Sequence, residues 1–193
     1  MILIAVILVA LTGVLGLLNR FEIEYPLHRR WLDPAAQRYD LPPRLLAAVV
    51  WQESRFHPTR MGQAGEIGLM QVTRAAAFEW ARHENLTNVP PTALLDPVTN
   101  VLAGTWYLRR ALDRWAGAED PLACALAEYN AGHSRVHHWA AAAHSSSAGA
   151  LAEAITYPGT RKYVAEILQR YHRFNPEPVV PHRHLPPDPQ WPR

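Results

Sequence analysis

Three Asp-Pro dipeptides, Asp33-Pro34, Asp96-Pro97 and Asp120-Pro121, punctuate the chain ahead of its proline-rich end, which holds a fourth. An aspartate carboxylate can accept from the open N–H groups of a helix's first turn. A proline just after it brings a helical φ and has no N–H to leave unpaired. Each pair therefore predicts a helix start. Pro42-Pro43 predicts another, running from about Arg44 to Ser54. Thr73 is placed to cap a helix reaching roughly His83, and Thr160 one ending near Arg173. Gly132 follows the helix from Pro121 to Asn130 as a C-terminal stop. Leu45, Leu46, Val49 and Val50 keep helical spacing, as do Leu102, Trp106, Leu108 and Leu112 in part. Period-2 alternation beside a hairpin turn is not found, so the expected fold is all-α over about 31–174.

The flanks differ from this core. Residues 2–18 are almost wholly apolar and carry no charge. Such a run, roughly 17 residues, is at the lower edge of what spans a bilayer. No basic residue leads it and no clear small-x-small site follows it, which favours an uncleaved anchor over a signal peptide for residues 1–18. Residues 19–30 read as a juxtamembrane linker and 175–193 as a proline-rich irregular tail. The segment 140–150, dominated by alanine and serine, reads as a loop or frayed helix. Arg20, Arg29 and Arg30 follow the apolar run, so a positive-inside count points them to the cytoplasm.

With 49% hydrophobic residues among 193, the chain can build a core and is not disordered as a whole. A net charge of +2, scattered rather than blocked, gives no reason to expect nucleic acid. Cys124, the single cysteine, lies in an apolar run and reads as a small buried hydrophobe. Among ten histidines, His137-His138 diverge on a helix and His182 and His184 fall in the tail. His133 and His137 are four apart but straddle an expected helix start, so no metal site is expected.

Chemistry is concentrated elsewhere. Glu53, in Trp51-Gln52-Glu53-Ser54, ends an otherwise apolar helix. The helix dipole and any burial both disfavour its charged form and raise its pKa, which suits a general acid. From position alone, an exposed glutamate on a last turn explains it better. Gly65 to Gln71 joins glycines to an apolar pair and an amide, and Ala127 to Gly132 ends a helix in polar groups. Each by itself reads as a turn or a helix terminus.

Together, the ordered elements Glu53-Ser54, Gly68-Leu69-Met70-Gln71, Tyr129-Asn130-Ala131-Gly132 and Thr160-Arg161-Lys162-Tyr163-Val164 resemble the lytic transglycosylase family with the soluble, goose-lysozyme-like catalytic domain. The resemblance covers about residues 38–172. It implies a lysozyme-like fold acting on the glycan strands of peptidoglycan, as a monomer and without a cofactor. It also implies that Glu53 is the catalytic acid/base and that the neighbouring Ser54 helps to position the site. Met70 and Gln71 would line the glycan groove, Tyr129 and Asn130 would form the opposite wall, and Tyr163 would point its hydroxyl into the site. The implied location is the bacterial envelope, anchored in the inner membrane with the catalytic domain on the periplasmic side. This overrides the charge count of the anchor's flanks.

The chain departs from the family pattern twice. Gly159 stands where a glutamate often precedes the Thr-Arg pair, and Gly62 where a serine is common. Hydrolysis by water, as in a goose-type lysozyme, would call for a second acid, for which Glu66, Asp96 and Glu128 are available but read as structural or solvated. A non-catalytic peptidoglycan-binding module is the remaining alternative.

Overall fold

The computed structural model describes residues 2–87, 89–143, 148–174 and 179–181, with side chains in the first helix given at Ile4 and from Arg20 onward. It contains α1 (Ile2–Arg38), α2 (Pro43–Ser54), α3 (Arg74–His83), α4 (Pro97–Arg114), α5 (Pro121–Ala131), α6 (His133–Ala142), α7 (Ala148–Ala154) and α8 (Pro158–Phe174). A 3-10 turn, Pro91–Leu95, precedes α4. The only β pairing among the described residues is two isolated bridges, Met61 with Ile67 and Ile67 with Val72.

Three of the expected caps are present. Thr73 accepts from Ala76 N–H, Asp96 from Thr99 N–H and Asp120 from Ala123 N–H. Helix α2 begins at Pro43 and ends at Ser54 as its sequence predicts. Gly132, at φ +87°, stops α5 and at the same residue starts α6.

The Asp33-Pro34 start is not realised, because α1 runs through it. Asp33 instead pairs with Arg29 one turn back, at 2.8 Å. The cause lies in packing. Phe21, Tyr25, Leu32, Ala35 and Ala36 form one buried stripe on α1, and burying that stripe outweighs a local stop signal. The 19–30 segment is corrected by the same observation. It is helical, and from Phe21 on it belongs to the domain's core instead of forming a free linker.

Thr160 is also not a cap. Helix α8 starts two residues earlier, and Thr160, buried in its first turn, donates to Asn130 Oδ1 at 2.7 Å. The expected membrane anchor lies outside the residues whose side chains are described, and among the described residues no helix is long and apolar enough to cross a membrane. Most of the expected irregular tail also lies outside them. Of its described part, Val179 packs on the core and Val180 C=O accepts from Arg109.

Helix α5 is the centre of the fold. Its residues from Leu122 to Ala127 are all buried, so no face is left for water. Four of those six residues are alanine or cysteine, and their small side chains let neighbouring helices approach. Helices α4, α6, α7 and α8 pack around it, and α1 and α8 flank α2. Cys124 is fully buried and its thiol is pushed up to about 12 by desolvation, as a small core side chain would be. Phe21 lies against Trp51 and Phe56 with ring centroids 6.0 and 6.2 Å apart, tying α1 to the end of α2. Phe21→Ala should therefore cost about 3–5 kcal/mol in urea unfolding of the whole chain. A freely hinged linker would tolerate the change.

Candidate active site

Glu53 occupies the last turn of α2, where carbonyl groups rather than N–H groups face the end of the helix. The chain then reverses abruptly. Arg55 and Phe56 adopt φ of +55° and +63°, and the Arg55 N–H closes the helix on Trp51 C=O at 3.1 Å. Two consecutive non-glycine residues in this region are uncommon. Side-chain contacts hold them: the Arg55 guanidinium donates to Trp51 C=O at 2.7 Å, and the Phe56 ring packs on Phe21, His28 and Trp51.

The reversal leaves the Glu53 carboxyl partly buried, facing α8. Tyr163 donates its hydroxyl to Glu53 Oε1 at 2.6 Å. Desolvation raises the Glu53 pKa, the Tyr163 hydrogen bond opposes it, and the charges of Glu66 and Arg60 respectively raise and lower it, the result being about 7. The Tyr163 and Tyr129 phenols are pushed well above their ordinary value, first by burial and then by the negative charge of Glu53. Both stay protonated donors across the physiological range.

The remaining residues singled out from the sequence divide into two groups. Tyr129 spends its hydroxyl on Met70 C=O at 2.8 Å, and so braces the Gly68–Gln71 segment from α5. Asn130 stands exposed at the rim, accepting from Thr160. Gln71, at φ +48°, turns its amide N–H groups inward to Arg60 C=O and Gly68 C=O at 3.1 and 2.9 Å, holding its own loop. Ser54 and Met70 are fully buried. Ser54 Oγ donates to Val50 C=O at 3.1 Å, and Met70 Sδ accepts from Thr105 at 3.7 Å. These two therefore present no surface, and the reading of Met70 as a groove-lining side chain does not survive its burial.

The other acidic candidates are structural. Asp96 caps α4. Glu128 is buried and receives Arg114, Trp115 Nε1–H at 2.8 Å and a His133 ring nitrogen at 2.9 Å. Glu66 differs, since its charge reaches Glu53.

Several residues that position the site were not singled out from the sequence. Asn100, fully buried in the first turn of α4, accepts from Met70 N–H at 2.8 Å and donates to Ile67 C=O and Leu94 C=O at 2.7 and 2.9 Å. It fixes the backbone of the Gly68–Gln71 loop, and Gly68 lies so close that a methyl there would overlap the Asn100 amide. Gly104 likewise leaves room for the Met70 side chain and comes near the Tyr129 hydroxyl. The available signal was an amide and a glycine on an otherwise apolar helix face.

Beyond Tyr163 an open cleft of about 580 Å³ is lined by Gln52, Arg55, Asn130, Gly159, Lys162 and Glu166, among others. Gly159 borders open space, so the missing glutamate leaves room rather than a packing change. The described residues bring no three His, Cys, Asp or Glu side chains together around a metal-sized space.

A family model for the transglycosylase SLT domain matches residues 31–151. The chain belongs to the transglycosylase SLT family. The SLT chain is 35% identical over 121 residues to a membrane-bound lytic murein transglycosylase F of Desulfosudis oleivorans, covering 61% of this chain and 25% of that protein. It is 31% identical over 161 residues to the soluble lytic murein transglycosylase of Escherichia coli, covering 81% of this chain and 24% of that one. Among solved structures, an inactive mutant of the lytic transglycosylase Slt from Pseudomonas aeruginosa superposes with a TM-score of 0.67 at 25% identity, over 81% of this chain and 26% of that one. A complex of the 70-kDa soluble lytic transglycosylase with bulgecin A gives 0.68 at 27% identity, over 86% and 28%. The SLT chain thus spans about a quarter of the length of these relatives.

Two outcomes follow from this geometry. Asn100→Ala would strand the buried Met70 N–H and Leu94 C=O and leave Ile67 C=O with Val72 N–H alone, lowering stability by on the order of 3 kcal/mol in chemical denaturation. The second concerns Glu53. Its folded pKa is raised, so the wild-type fold is most favoured below the ordinary carboxyl range and loses that advantage as pH rises through about 7. Glu53→Gln cannot ionise, so its melting temperature relative to wild type should climb between about pH 4.5 and 8. A difference that stays flat across this range would contradict the burial of the carboxyl.

Proposed function

We propose that the chain is a lytic transglycosylase that cleaves the β-1,4 bond between N-acetylmuramic acid and N-acetylglucosamine in peptidoglycan, with Glu53 as its acid/base. The observation that carries this reading is the Glu53 carboxyl, partly withdrawn from water and held by Tyr163 at 2.6 Å, with its pKa at about 7. Near neutrality such a group is present in both protonation states. One residue can then give a proton and take one back. Membership of the SLT family and relatives named lytic murein transglycosylases support the substrate class.

In the first step Glu53 protonates the oxygen bridging the two sugars, and the bond from that oxygen to the anomeric carbon of N-acetylmuramic acid breaks. The N-acetyl group of the same sugar stabilises the positive charge that develops. Glu53, now a carboxylate, removes the proton from that sugar's C6 hydroxyl as its oxygen bonds to the anomeric carbon. The product is a 1,6-anhydro ring, and Glu53 regains its proton. An internal hydroxyl is favoured over bulk water by proximity. Tyr163 steadies the carboxylate between the two proton transfers. Asn130, Gln71 and Tyr129 shape the groove.

Glu66 favours a second reading, in which a second carboxylate holds a water and the bond is hydrolysed. Mass analysis of muropeptides released from purified peptidoglycan separates the two. Anhydro ends are expected, and reducing ends would overturn the transglycosylase reading. Glu53→Gln should reduce release by ~10²–10⁴-fold without loss of helical content.

The pH–rate profile gives an independent check. Activity requires protonated Glu53 and should fall above about pH 7. Tyr163→Phe removes the bond that lowers the Glu53 pKa, so it should move this alkaline limb upward while reducing kcat.

The apolar run at residues 2–18, together with relatives that are named membrane-bound, supports an inner-membrane anchor with the catalytic domain in the periplasm. Because α1 continues unbroken to Arg38, such an anchor would join the domain through helix rather than through a flexible tether.

A further inference from the structure

Two consecutive residues of α2 reach two residues one turn apart on α8. Tyr163 donates to Glu53 Oε1 at 2.6 Å, and the Gln52 amide donates from Nε2 to Glu166 Oε2 at 2.8 Å. Positions 163 and 166 share a face of a helix, about 4.5 Å apart along its axis. The two bonds run in opposite senses, since α2 accepts in the first and donates in the second. Gln52, Tyr163 and Glu166 also line one cleft together. This pairing discriminates against a shifted register. A slide of α8 that brought Glu166 to Glu53 would set two carboxylates against each other and leave the Gln52 amide without its acceptor. Gln52 is committed to its bond, because its Oε1 is buried and has no hydrogen-bond partner. An amide that forgoes one bond in this way is kept in place by the strength of the other, and a bond to a carboxylate is a strong one. Glu166 is held in turn. Lys162 Nζ stands 3.8 Å from its other oxygen, and Arg170 donates to its backbone C=O at 3.3 Å.

We propose that Glu166 is a positioning residue for Glu53: by holding Gln52 it fixes α8 against the last turn of α2, so that the Tyr163 hydroxyl stays on the reacting carboxyl. This inference rests on the transglycosylase reading given above. With the Tyr163 bond alone, α8 could slide or roll about that contact. A second bond one turn further along removes both freedoms. The titratable and charged groups that bear on Glu53 are Tyr163 from α8, Tyr129 from α5, and Glu66 and Arg60 from the loop between α2 and α3. Those about Glu166 are Lys162 and Arg170 on α8 and Arg55 at the end of α2. Tyr163 is the one of these that bonds the Glu53 carboxyl directly. Its alignment therefore sets how readily Glu53 gives up its proton in the first step, and how well the carboxylate is stabilised before the second.

The test is a direct titration of Glu53 by carbon NMR in the full chain labelled at glutamate carboxyls, with Glu53→Gln assigning the signal. Glu166→Ala releases α8, so the Tyr163 bond should weaken and the Glu53 midpoint should rise by on the order of half a pH unit. The sign is diagnostic, because loss of a nearby negative charge by itself would lower the midpoint. Glu166→Gln keeps an acceptor for Gln52 and should hold the midpoint at its wild-type value. Gln52→Ala keeps every charge and should raise the midpoint as Glu166→Ala does, and it serves if Glu166→Ala does not fold. In a Tyr163→Phe background neither alanine variant should move the midpoint further, since the bond that the clamp aligns is gone. A merely structural role would not show this dependence on Tyr163. A midpoint that stays or falls in a folded alanine variant, or that rises equally in Glu166→Gln, overturns the proposal. The titration needs no turnover. A chain that releases no anhydro ends but shows this pattern would therefore refute the transglycosylase reading and leave the role of Glu166 standing.

Discussion

The hydrogen bond from Tyr163 to Glu53 spans 110 residues of sequence and joins the end of α2 to the middle of α8. It forms only if α8 lies along α2 with its tyrosine at the level of the last turn. Helix α5 makes this possible, because its buried alanines and Cys124 let α8 and α4 pack closely on either side. The bond also tempers what burial does to the carboxyl. Desolvation alone would drive Glu53 toward the neutral form, and a donor at 2.6 Å returns part of that preference to the charged form. The group is therefore balanced between two protonation states by opposing effects from different helices.

Between α2 and α3 the backbone is neither helix nor strand, apart from two isolated bridges. The loop from Arg55 to Val72 contains positive φ angles at Arg55, Phe56, Gly65, Gly68 and Gln71. Such a segment bonds part of its backbone internally, as between Gly62 and Glu66 and between Ile67 and Val72, and side chains hold other parts of it. Asn100 provides two of these side-chain bonds from α4, Tyr129 one from α5, and Gln71 two from within the loop. Gly68 and Gly104 let these partners come close enough. Two of the residues in the resemblance thus act mainly as scaffold, since Met70 and Ser54 have no surface to offer a sugar.

Helix α1 changes the picture of how the domain is carried. Its stripe of Phe21, Tyr25, Leu32, Ala35 and Ala36 belongs to the same core as α2 and α8. Arg170 lies over both Phe21 and Trp51, so the cluster includes the last turns of two helices near Glu53.

Local chemistry settled much of the architecture. Caps at Thr73, Asp96 and Asp120, and the stop at Gly132, need only side chains within a few residues, so they were legible along the chain. The order of the four motif elements marked Glu53, which its own position did not. What local signals missed was decided by burial. Asp33-Pro34 failed as a helix start because a distant core claimed the face of α1 on both sides of it. Thr160 failed as a cap because Asn130, thirty residues away, was the partner the fold brought to it. Asn100 and Gly104 looked ordinary on α4 until the Met70 loop was laid across them. Glu66 looked solvated until the loop folded it over Gly62. The sequence by itself determined an all-helical SLT domain and singled out one carboxylic acid, Glu53. Only the tertiary structure decided how far that acid is withdrawn from water and which charges act on it, because burial and charge–charge interaction depend on groups that are distant along the chain.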